Sequence, residues 1–287
     1  MEKEKIMTTE DIQLTYNLGD LKINRLGYGG MQLTGEGIWG DVKNRENAIA
    51  ILRKAVESGV NFIDTADSYG PFTNEELIRD ALYPYTENLV IATKAGLERP
   101  GPNKWEPNGH PDHIRERIDG SLERLKVGQI DLWQLHRIDP DVDVEKTLQP
   151  VIKAVEVGKI RYVGLSEVTV DQIKEVEKIL PIASVQNQYN LGDRQWEDVL
   201  DYTAANGMAF IPWFPLASGP DKMKDKIKSI AEKHNATIAQ IALAWLLKRS
   251  DNILLIPGTK SLDHLEYNLK ASKIELTDEE FETLSNA

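Results

Sequence analysis

The sequence predicts an α/β fold, a (β/α)8 TIM barrel whose lower end is capped by an N-terminal β-hairpin. Eight apolar runs rich in strand-forming residues recur along the chain, with helical patterns between them. Runs that are apolar throughout are typical of parallel strands buried on both faces. The length of 287 residues also suits such a barrel. The runs span residues 25–31, 59–66, 88–96, 130–138, 160–168, 182–190, 208–216 and 252–260.

The predicted cap lies at the start of the chain. Residues 13–26, QLTYNLGDLKINRL, alternate in two short segments around Gly19-Asp20, which is a hairpin signal. Residues 1–12 are expected to be a flexible N-terminal tail. Because no linker or change of composition follows, residues 1–287 are expected to form a single barrel domain.

Helices are predicted between the apolar runs. Residues 44–59 carry an apolar stripe at helical spacing that stops at Gly59. Pro150 interrupts another helical pattern over residues 144–158. That helix therefore either starts near Gln149 or is kinked there.

Capping residues predict where three of the helices begin. Capping boxes pair Thr73 with Glu76 and Thr169 with Gln172, and Thr237 opens the most strongly helical segment. A doubly wound open sheet is the main competing fold. It is disfavoured because no GxGxxG turn follows the first run, where GYGGM is too short.

Composition narrows the classes of partner. The chain has 34 basic and 46 acidic residues, so the formal net charge is −12, which argues against nucleic acid as the main partner. It has no cysteine, which excludes disulfides, thiolate metal sites and cysteine nucleophiles. The first residues do not resemble a signal peptide, and no apolar run is long enough for a membrane helix. We expect a cytoplasmic protein that is a monomer or a weak homo-oligomer.

Polar residues cluster where the predicted strands end, which is where such barrels carry their chemistry. The second run leads into DTADSYG, which holds Asp64 and Tyr69; the third run leads to Lys94 and the fourth to His136. Each residue alone is explained as readily by an ion pair or a buried polar side chain. Four polar groups from three consecutive strands, all at one end, are instead expected to converge on one pocket.

These four groups suit the protonation of a carbonyl oxygen. A nearby ammonium lowers the pKa of a phenol, so Lys94 would make Tyr69 a usable acid, with Asp64 maintaining the lysine charge. A neutral imidazole at His136 would orient the same oxygen. The set has no evident nucleophile, so the group that attacks carbon is expected to come from a cofactor. The five histidines lack close ligand spacing, and no metal site is predicted.

Seven motifs, taken in order, resemble the aldo-keto reductases. They are DTADSYG, ATKAG, LWQLHR, VGLSEV, VQNQYN, PWFPL and IPGTKSLDHLEYN, and the likeness runs from about Leu26 to Asn268. The resemblance implies a (β/α)8 barrel that binds a nicotinamide dinucleotide without a Rossmann domain. It is greatest for a bacterial branch with members that act on pyridoxal or similar small aldehydes.

The resemblance also implies roles for individual residues. The implied catalytic tetrad is Asp64, Tyr69, Lys94 and His136, with Tyr69 as proton donor. The implied cofactor-binding residues are Gly30, Met31, Asp64, Ser166, Glu167, Gln186, Trp213, Phe214, Pro215, Leu216, Ser218, Gly258, Thr259, Lys260, His264 and Asn268. Ser166 and Gln186 would hold the carboxamide, and Trp213 would stack on the nicotinamide.

Two departures from the family pattern concern the cofactor. Glu167 stands where the family usually has asparagine, and Gly258 and His264 replace basic residues that commonly bind the 2′-phosphate. Because Lys260 can compensate, NADPH is preferred over NADH, although NADH remains open. The predicted substrate pocket consists of Tyr69 and His136 with two loop tryptophans, Trp39 and Trp105.

Three interpretations of function remain open. The first is NADPH-dependent reduction of a small aldehyde or ketone. The second is an aldolase-like barrel in which Lys94 forms a Schiff base. The third is a dinucleotide-binding regulatory subunit without significant turnover, which the intact tetrad disfavours.

Overall fold

The computed structural model describes residues 14–216 and 221–286, and its first element is the predicted hairpin. Strands β1 (Thr15–Leu18) and β2 (Leu21–Asn24) pair antiparallel around the Gly19 turn, whose positive φ of 60° suits glycine. Leu18 and Ile23 are buried against Phe62, Val90 and Leu132, inside the lower end of the barrel. The hairpin therefore closes that end. The expected tail at residues 1–12, in contrast, lies outside the described residues.

Within the described residues, seven parallel strands form the curled sheet, in the spatial order of the chain. They are β3 (Tyr28–Gly29), β4 (Phe62–Asp64), β5 (Val90–Ala95), β8 (Ile130–Leu135), β9 (Ile160–Ser166), β10 (Ser184–Gln186) and β11 (Ala209–Phe210). A small antiparallel pair, β6 (Leu97–Glu98) and β7 (Glu106–Pro107), projects beyond the end of β5.

The eighth apolar run closes the barrel with single bridges and is not a regular strand. Leu255 bridges Leu26 on one side, and Ile253 bridges Phe210 on the other, both in parallel sense. Backbone hydrogen bonds support both seams, including Gly27 N to Leu255 O at 2.8 Å. The predicted (β/α)8 barrel is thereby confirmed.

Helices cover the outside of the sheet. They are α1 (Arg45–Glu57), α2 (Thr73–Leu82), α3 (Pro111–Leu125), α4 (Val144–Glu156), α5 (Val170–Glu177), α6 (Glu197–Ala205), α7 (Asp221–Lys233), α8 (Ile238–Arg249), α9 (Leu262–Lys270) and α10 (Asp278–Ser285). Short 3₁₀ turns lie at Gly30–Gln32 and Ala271–Lys273. Apolar side chains between helices and strands form the outer core, and those inside the barrel form a second cluster. No helix in the described ranges has the length and apolar character that a membrane span requires.

The capping residues predicted from the sequence can be compared with the observed N-caps of the helices. Thr169 forms the capping box that was predicted for it. Thr237 opens its helix as predicted, and it also forms a complete capping box with Gln240. The predicted box at Thr73 is wrong, because Thr73 is already the first helical residue and the N-cap is Phe72, with φ 71° and no side-chain cap. The Thr73 hydroxyl instead donates to the Gly40 carbonyl at 3.2 Å. The local pattern assigned the Thr73 hydroxyl to the helix cap, but this hydroxyl binds the loop that contains Gly40 instead.

Pro150 lies inside α4, so the alternative that this helix starts near Gln149 is wrong. The helix begins at Val144, where the Asp143 side chain accepts a hydrogen bond from Glu145 N at 2.9 Å. A well-capped first turn with a buried face at Leu148 and Val151 compensates for the amide that proline lacks.

Candidate active site

The Lys94 ammonium lies at the centre of a buried polar cluster at the carboxyl end of the barrel. Strands β4 and β5 are hydrogen-bonded neighbours in which Asp64 pairs with Ala92, two residues before Lys94. Lys94 Nζ donates to Asp64 Oδ1 at 2.7 Å, to Thr65 O at 2.8 Å and to Tyr69 Oη at 3.3 Å. The loop after β4 turns Tyr69 back over the lysine, whose Nζ is 4.9 Å from the ring centroid. Three of the four predicted tetrad members are thus in direct contact.

His136, directly after β8, completes the cluster. Its ring lies 5.8 Å from the Tyr69 ring, nearly perpendicular to it, and its Nδ1 is 3.3 Å from Ser68 Oγ. Burial lowers the pKa of His136 well below 6.5, and the positive charges of Lys94 and Arg137 add to the effect. The imidazole is therefore neutral at physiological pH.

The Tyr69 phenol differs from the sequence expectation in one respect. Burial raises the pKa of Tyr69, and the opposing effect of Lys94 does not cancel this rise, to which the charge of Asp64 also contributes. The expectation that the pKa of Tyr69 would fall is therefore wrong in its net direction. Complete desolvation of the phenolate outweighs one ammonium. Lys94 limits the rise, and Tyr69 remains a protonated donor.

Lys94 retains its charge in this environment. Burial alone would lower the pKa of Lys94, but Asp64 and Tyr69 outweigh that effect, so the net pKa is raised. The other carboxylate oxygen of Asp64 accepts from Gln186 Nε2 at 2.8 Å. Asp64 therefore joins the ammonium to strand β10.

A cavity of about 690 Å³ opens in front of Tyr69 and His136. Most residues predicted for the site line it. They are Met31, Asp64, Tyr69, Trp105, His136, Ser166, Gln186, Trp213, Phe214, Pro215, Leu216 and Gly258. Trp105 presents its ring at a steep angle to both Tyr69 and His136, with centroids 6.4 and 6.2 Å apart.

Other predicted residues do not line this cavity. They are Gly30, Trp39, Lys94, Glu167, Thr259, Lys260, His264 and Asn268, and Ser218 falls outside the described residues. Lys94 lies behind Tyr69. Gly30 packs beneath the wall, where its carbonyl accepts from Asn74 Nδ2 at 2.9 Å. Thr259 is buried, and its carbonyl accepts from Tyr28 Oη at 2.6 Å.

Basic side chains are exposed near the start of α9. Ser261 caps this helix, and its Oγ accepts from His264 N at 3.3 Å. Lys260 and His264 are both exposed there, and Lys260 Nζ lies 3.5 Å from Thr34 O. A lysine and a histidine at a helix start suit an anionic group.

Glu167 lies at the N–H edge of the Trp213 ring and is not among the residues that line the cavity. Its Oε1 accepts two hydrogen bonds of 2.6 Å, one from Trp213 Nε1 and one from Gln188 N. Its backbone has a positive φ of 55°. The carboxylate therefore orients the indole that sequence reasoning placed against a nicotinamide.

Sequence reasoning missed part of the cavity wall. The missed residues are Gly29, Gln32, Ile38, Leu97, Pro107, Arg137 and Ile256. Arg137 Nη1 donates to Ser166 Oγ at 3.1 Å and to His136 O at 2.5 Å. Its position directly after His136 in LWQLHR was a usable signal. The missed apolar residues carried no such signal, because only the folded chain brings them to the cavity.

The residues around the cavity fit a nicotinamide dinucleotide. Trp213 offers a half-buried aromatic face, Ser166 and Gln186 offer polar groups in the same cavity as Tyr69, and the exposed side chains of Lys260 and His264 follow at the start of α9. Among the described residues there is no group of three or more side chains suited to hold a metal ion.

Comparison with known proteins identifies a family and similar individual proteins. Residues 25–287 match the Aldo/keto reductase family. The chain is 50% identical over 271 residues to an uncharacterized oxidoreductase of Schizosaccharomyces pombe, covering 94% of this chain and 88% of that protein. It is 40% identical over 276 residues to pyridoxine 4-dehydrogenase of Escherichia coli, covering 94% and 96%.

A solved structure agrees with the fold. The aldo-keto reductase from Klebsiella pneumoniae in complex with NADPH superposes with a TM-score of 0.77 at 25% identity, covering 92% of this chain and 91% of that one. The match to the family covers nearly the whole barrel, and the relatives are named as oxidoreductases or dehydrogenases. The chain is an oxidoreductase that belongs to the aldo/keto reductase family.

Proposed function

We propose that the protein catalyses the NADPH-dependent reduction of a small aldehyde or ketone to the alcohol, with Tyr69 as the proton donor. The observation that carries the proposal is the contact of Tyr69 Oη with Lys94 Nζ at 3.3 Å, beside a cavity that His136 also lines. Bound NADPH supplies the hydride. The Klebsiella pneumoniae relative, which was solved with NADPH, supports this cofactor.

The chain's own residues handle the proton and the orientation of the substrate. Neutral His136 donates a hydrogen bond to the carbonyl oxygen and directs it toward Tyr69. Tyr69 Oη gives its proton to that oxygen as negative charge develops there. Lys94 stabilises the resulting phenolate, and Asp64 maintains the lysine charge from behind.

The Schiff-base alternative is weakened by the state of Lys94. Its ammonium has three acceptors, its side chain is fully buried, and its pKa is raised. A lysine that attacks a carbonyl must lose a proton and reach the substrate. Lys94 keeps its proton, and it lies behind Tyr69 and does not line the cavity. Borohydride with a carbonyl substrate should therefore leave Lys94 unmodified, and a covalent adduct on Lys94 would revive the alternative.

Tyr69→Phe tests the proposal directly. We expect turnover to fall by at least about a thousand-fold, while the NADPH Kd changes little, because the phenol acts on the substrate and not on the cofactor. Tyr85→Phe is the matched control, since it removes a hydroxyl bonded to Leu125 O at 2.7 Å, away from the cavity. Wild-type rates in Tyr69→Phe would refute the role of this residue. Tight NADPH binding without turnover of any aldehyde would favour a regulatory subunit.

The substrate panel should contain pyridoxal, because one relative is named pyridoxine 4-dehydrogenase. Small aliphatic and aromatic aldehydes complete it, read by the loss of NADPH absorbance. We further propose, from composition, that the protein acts in the cytoplasm as a single-domain monomer or weak homo-oligomer.

A further inference from the structure

The Arg99 guanidinium joins three separate segments at the mouth of the barrel. Its Nε donates to Lys104 O at 2.8 Å, Nη1 donates to both Ile38 O and Ser68 O at 2.9 Å, and Nη2 donates to Gly37 O at 2.9 Å. The residue is 9% exposed. One side chain thus binds four backbone carbonyls from regions up to 62 residues away in sequence.

The joined segments are those that build one side of the cavity. Ile38 comes from the loop after β3, Tyr69 directly follows Ser68, and Trp105 directly follows Lys104. Leu97 and Pro107, in the antiparallel pair β6–β7, line the same side. Arg99 itself is not a lining residue, so it acts on the cavity only through its partners.

Arg99 also stacks on two tryptophans, of which Trp105 lines the cavity. Its guanidinium carbon is 3.5 Å from the centroid of the Trp105 ring and 5.8 Å from that of Trp39. Trp105 in turn contacts the Tyr69 and His136 rings through edge-to-face geometry. The Trp105 indole is thus held between Arg99 on one side and the two tetrad rings on the other.

We propose that Arg99 is a positioning residue that assembles the substrate side of the cavity and so sets the affinity for the carbonyl compound. This inference rests on the proposed function. The planar guanidinium presents its donors in a fixed fork, which suits several carbonyls at once, whereas a lysine offers a single flexible ammonium. Without Arg99 the carbonyls of Ser68 and Lys104 lose this donor, those of Gly37 and Ile38 keep only their backbone donors Asn103 N and Gly70 N, and the Trp105 ring loses one of its supports.

The opposite end of the barrel offers a matched control. Arg25 is 3% exposed and also binds backbone carbonyls, donating to Ile253 O, Leu247 O and Ser250 O at 3.1, 2.8 and 2.5 Å. It precedes β3 and so lies far from the carboxyl ends of the strands. Losing either arginine removes a buried network of similar size, but only Arg99 adjoins the cavity.

The test compares Arg99→Met, Arg99→Lys and Arg25→Met. For Arg99→Met we expect the KM of the carbonyl substrate to rise roughly ten- to a hundred-fold, because sub-ångström errors in substrate position are costly. The NADPH Kd should stay within about twofold, and kcat at saturation should fall less than kcat/KM. Arg99→Lys should be intermediate, and millimolar guanidinium should partly restore the KM of Arg99→Met. Arg25→Met should lower the melting temperature without changing the carbonyl KM.

A second readout does not depend on turnover. Hydrogen exchange of residues 36–40 and 97–107 should quicken in Arg99→Met and not in Arg25→Met. An unchanged carbonyl KM, or equal losses of carbonyl and NADPH affinity, would overturn the proposal. So would an unfolded Arg99→Lys, because Arg99 would then support the fold as a whole. Absence of turnover in the wild type, with the exchange difference intact, would refute the proposed function and leave the assembly role of Arg99 standing.

Discussion

Trp213 donates its indole N–H to Glu167 at 2.6 Å, and this bond explains the carboxylate that replaces the usual asparagine. The same oxygen accepts from Gln188 N, in a segment that bridges Trp213. The carboxylate is therefore occupied within the protein and fixes the tilt of the ring. Its contribution to cofactor binding is expected to pass through Trp213.

Glu167→Ala should weaken NADPH binding about ten-fold, because two N–H groups lose their acceptor and the ring is freed. Adenosine 2′,5′-bisphosphate, which lacks the nicotinamide, should bind as in the wild type. Glu167→Gln keeps an acceptor oxygen and should bind NADPH within about threefold of the wild type. Titration calorimetry measures the three affinities, namely NADPH for Glu167→Ala, the bisphosphate for Glu167→Ala, and NADPH for Glu167→Gln.

Glu177→Ala serves as the control for this experiment, since Glu177 accepts from Tyr202 Oη at 2.8 Å on the outside of the barrel. Equal weakening of NADPH and of the bisphosphate by Glu167→Ala would show a general loss of structure. Tight NADPH binding by Glu167→Ala would show that the ring needs no such support.

The pH dependence of carbonyl reduction should follow the two perturbed groups of the tetrad. Because the pKa of His136 is lowered, kcat should not decline near pH 6.5 on the acidic side. Because the pKa of Tyr69 is raised, its phenol should lose its proton only above pH 10.0. We therefore expect kcat to be flat from about pH 6 to pH 9. Alcohol oxidation, which needs the phenolate, should rise toward high pH. A limb near pH 6.5 that is absent from His136→Gln would show that the imidazole titrates there.

Asp67 should make the protein less stable as pH rises. Burial, followed by the charge of Glu75, raises the pKa of Asp67 to about 8 against the opposing effects of Arg117 and Arg124. Neither carboxylate oxygen has a hydrogen-bond partner within the described part of the chain. The folded state thus retains a proton that the unfolded state releases above about pH 4, and the free energy of unfolding falls by up to about 1.4 kcal/mol per pH unit until pH 8.

Asp67→Asn removes this titrating group and should make the free energy of unfolding fall less as pH rises. Urea unfolding at pH 5, 7 and 9 should show the variant gaining stability relative to the wild type with each step up to pH 8. A constant difference between the two proteins at all three pH values would mean that Asp67 is already ionised in the folded state.

The exposed side chains of Lys260 and His264 at α9 should determine the preference between the two nicotinamide cofactors. Lys260→Met and His264→Ala should each raise the Kd of NADPH several-fold and leave that of NADH nearly unchanged, because only NADPH carries the 2′-phosphate. Lys270→Met, an exposed lysine at the other end of the same helix, is the control. Equal losses for both cofactors would remove the structural basis for preferring NADPH.

The strand pattern alone predicted much of the molecule. Apolar runs predicted the barrel, and the polar residues after them predicted that Asp64, Tyr69, Lys94 and His136 would meet. This succeeded because neighbouring parallel strands bring their carboxyl ends to one edge, so local sequence determines position. The predicted capping box at Thr169 and the predicted helix start at Thr237 succeeded for a similar reason, since each N-cap residue and its side-chain partner are three residues apart.

Tertiary structure decided what depends on groups far apart in the chain. The net pKa of Tyr69 depends on complete burial, which no motif reveals. The engagement of Glu167 by Trp213 spans 46 residues, and Arg99 reaches Gly37 across 62. Thr73 follows a capping pattern and yet binds Gly40, 33 residues away. Sequence determined which side chains stand at the strand ends, whereas desolvation and long-range hydrogen bonds, which exist only once the loops have packed, decided their charge and orientation.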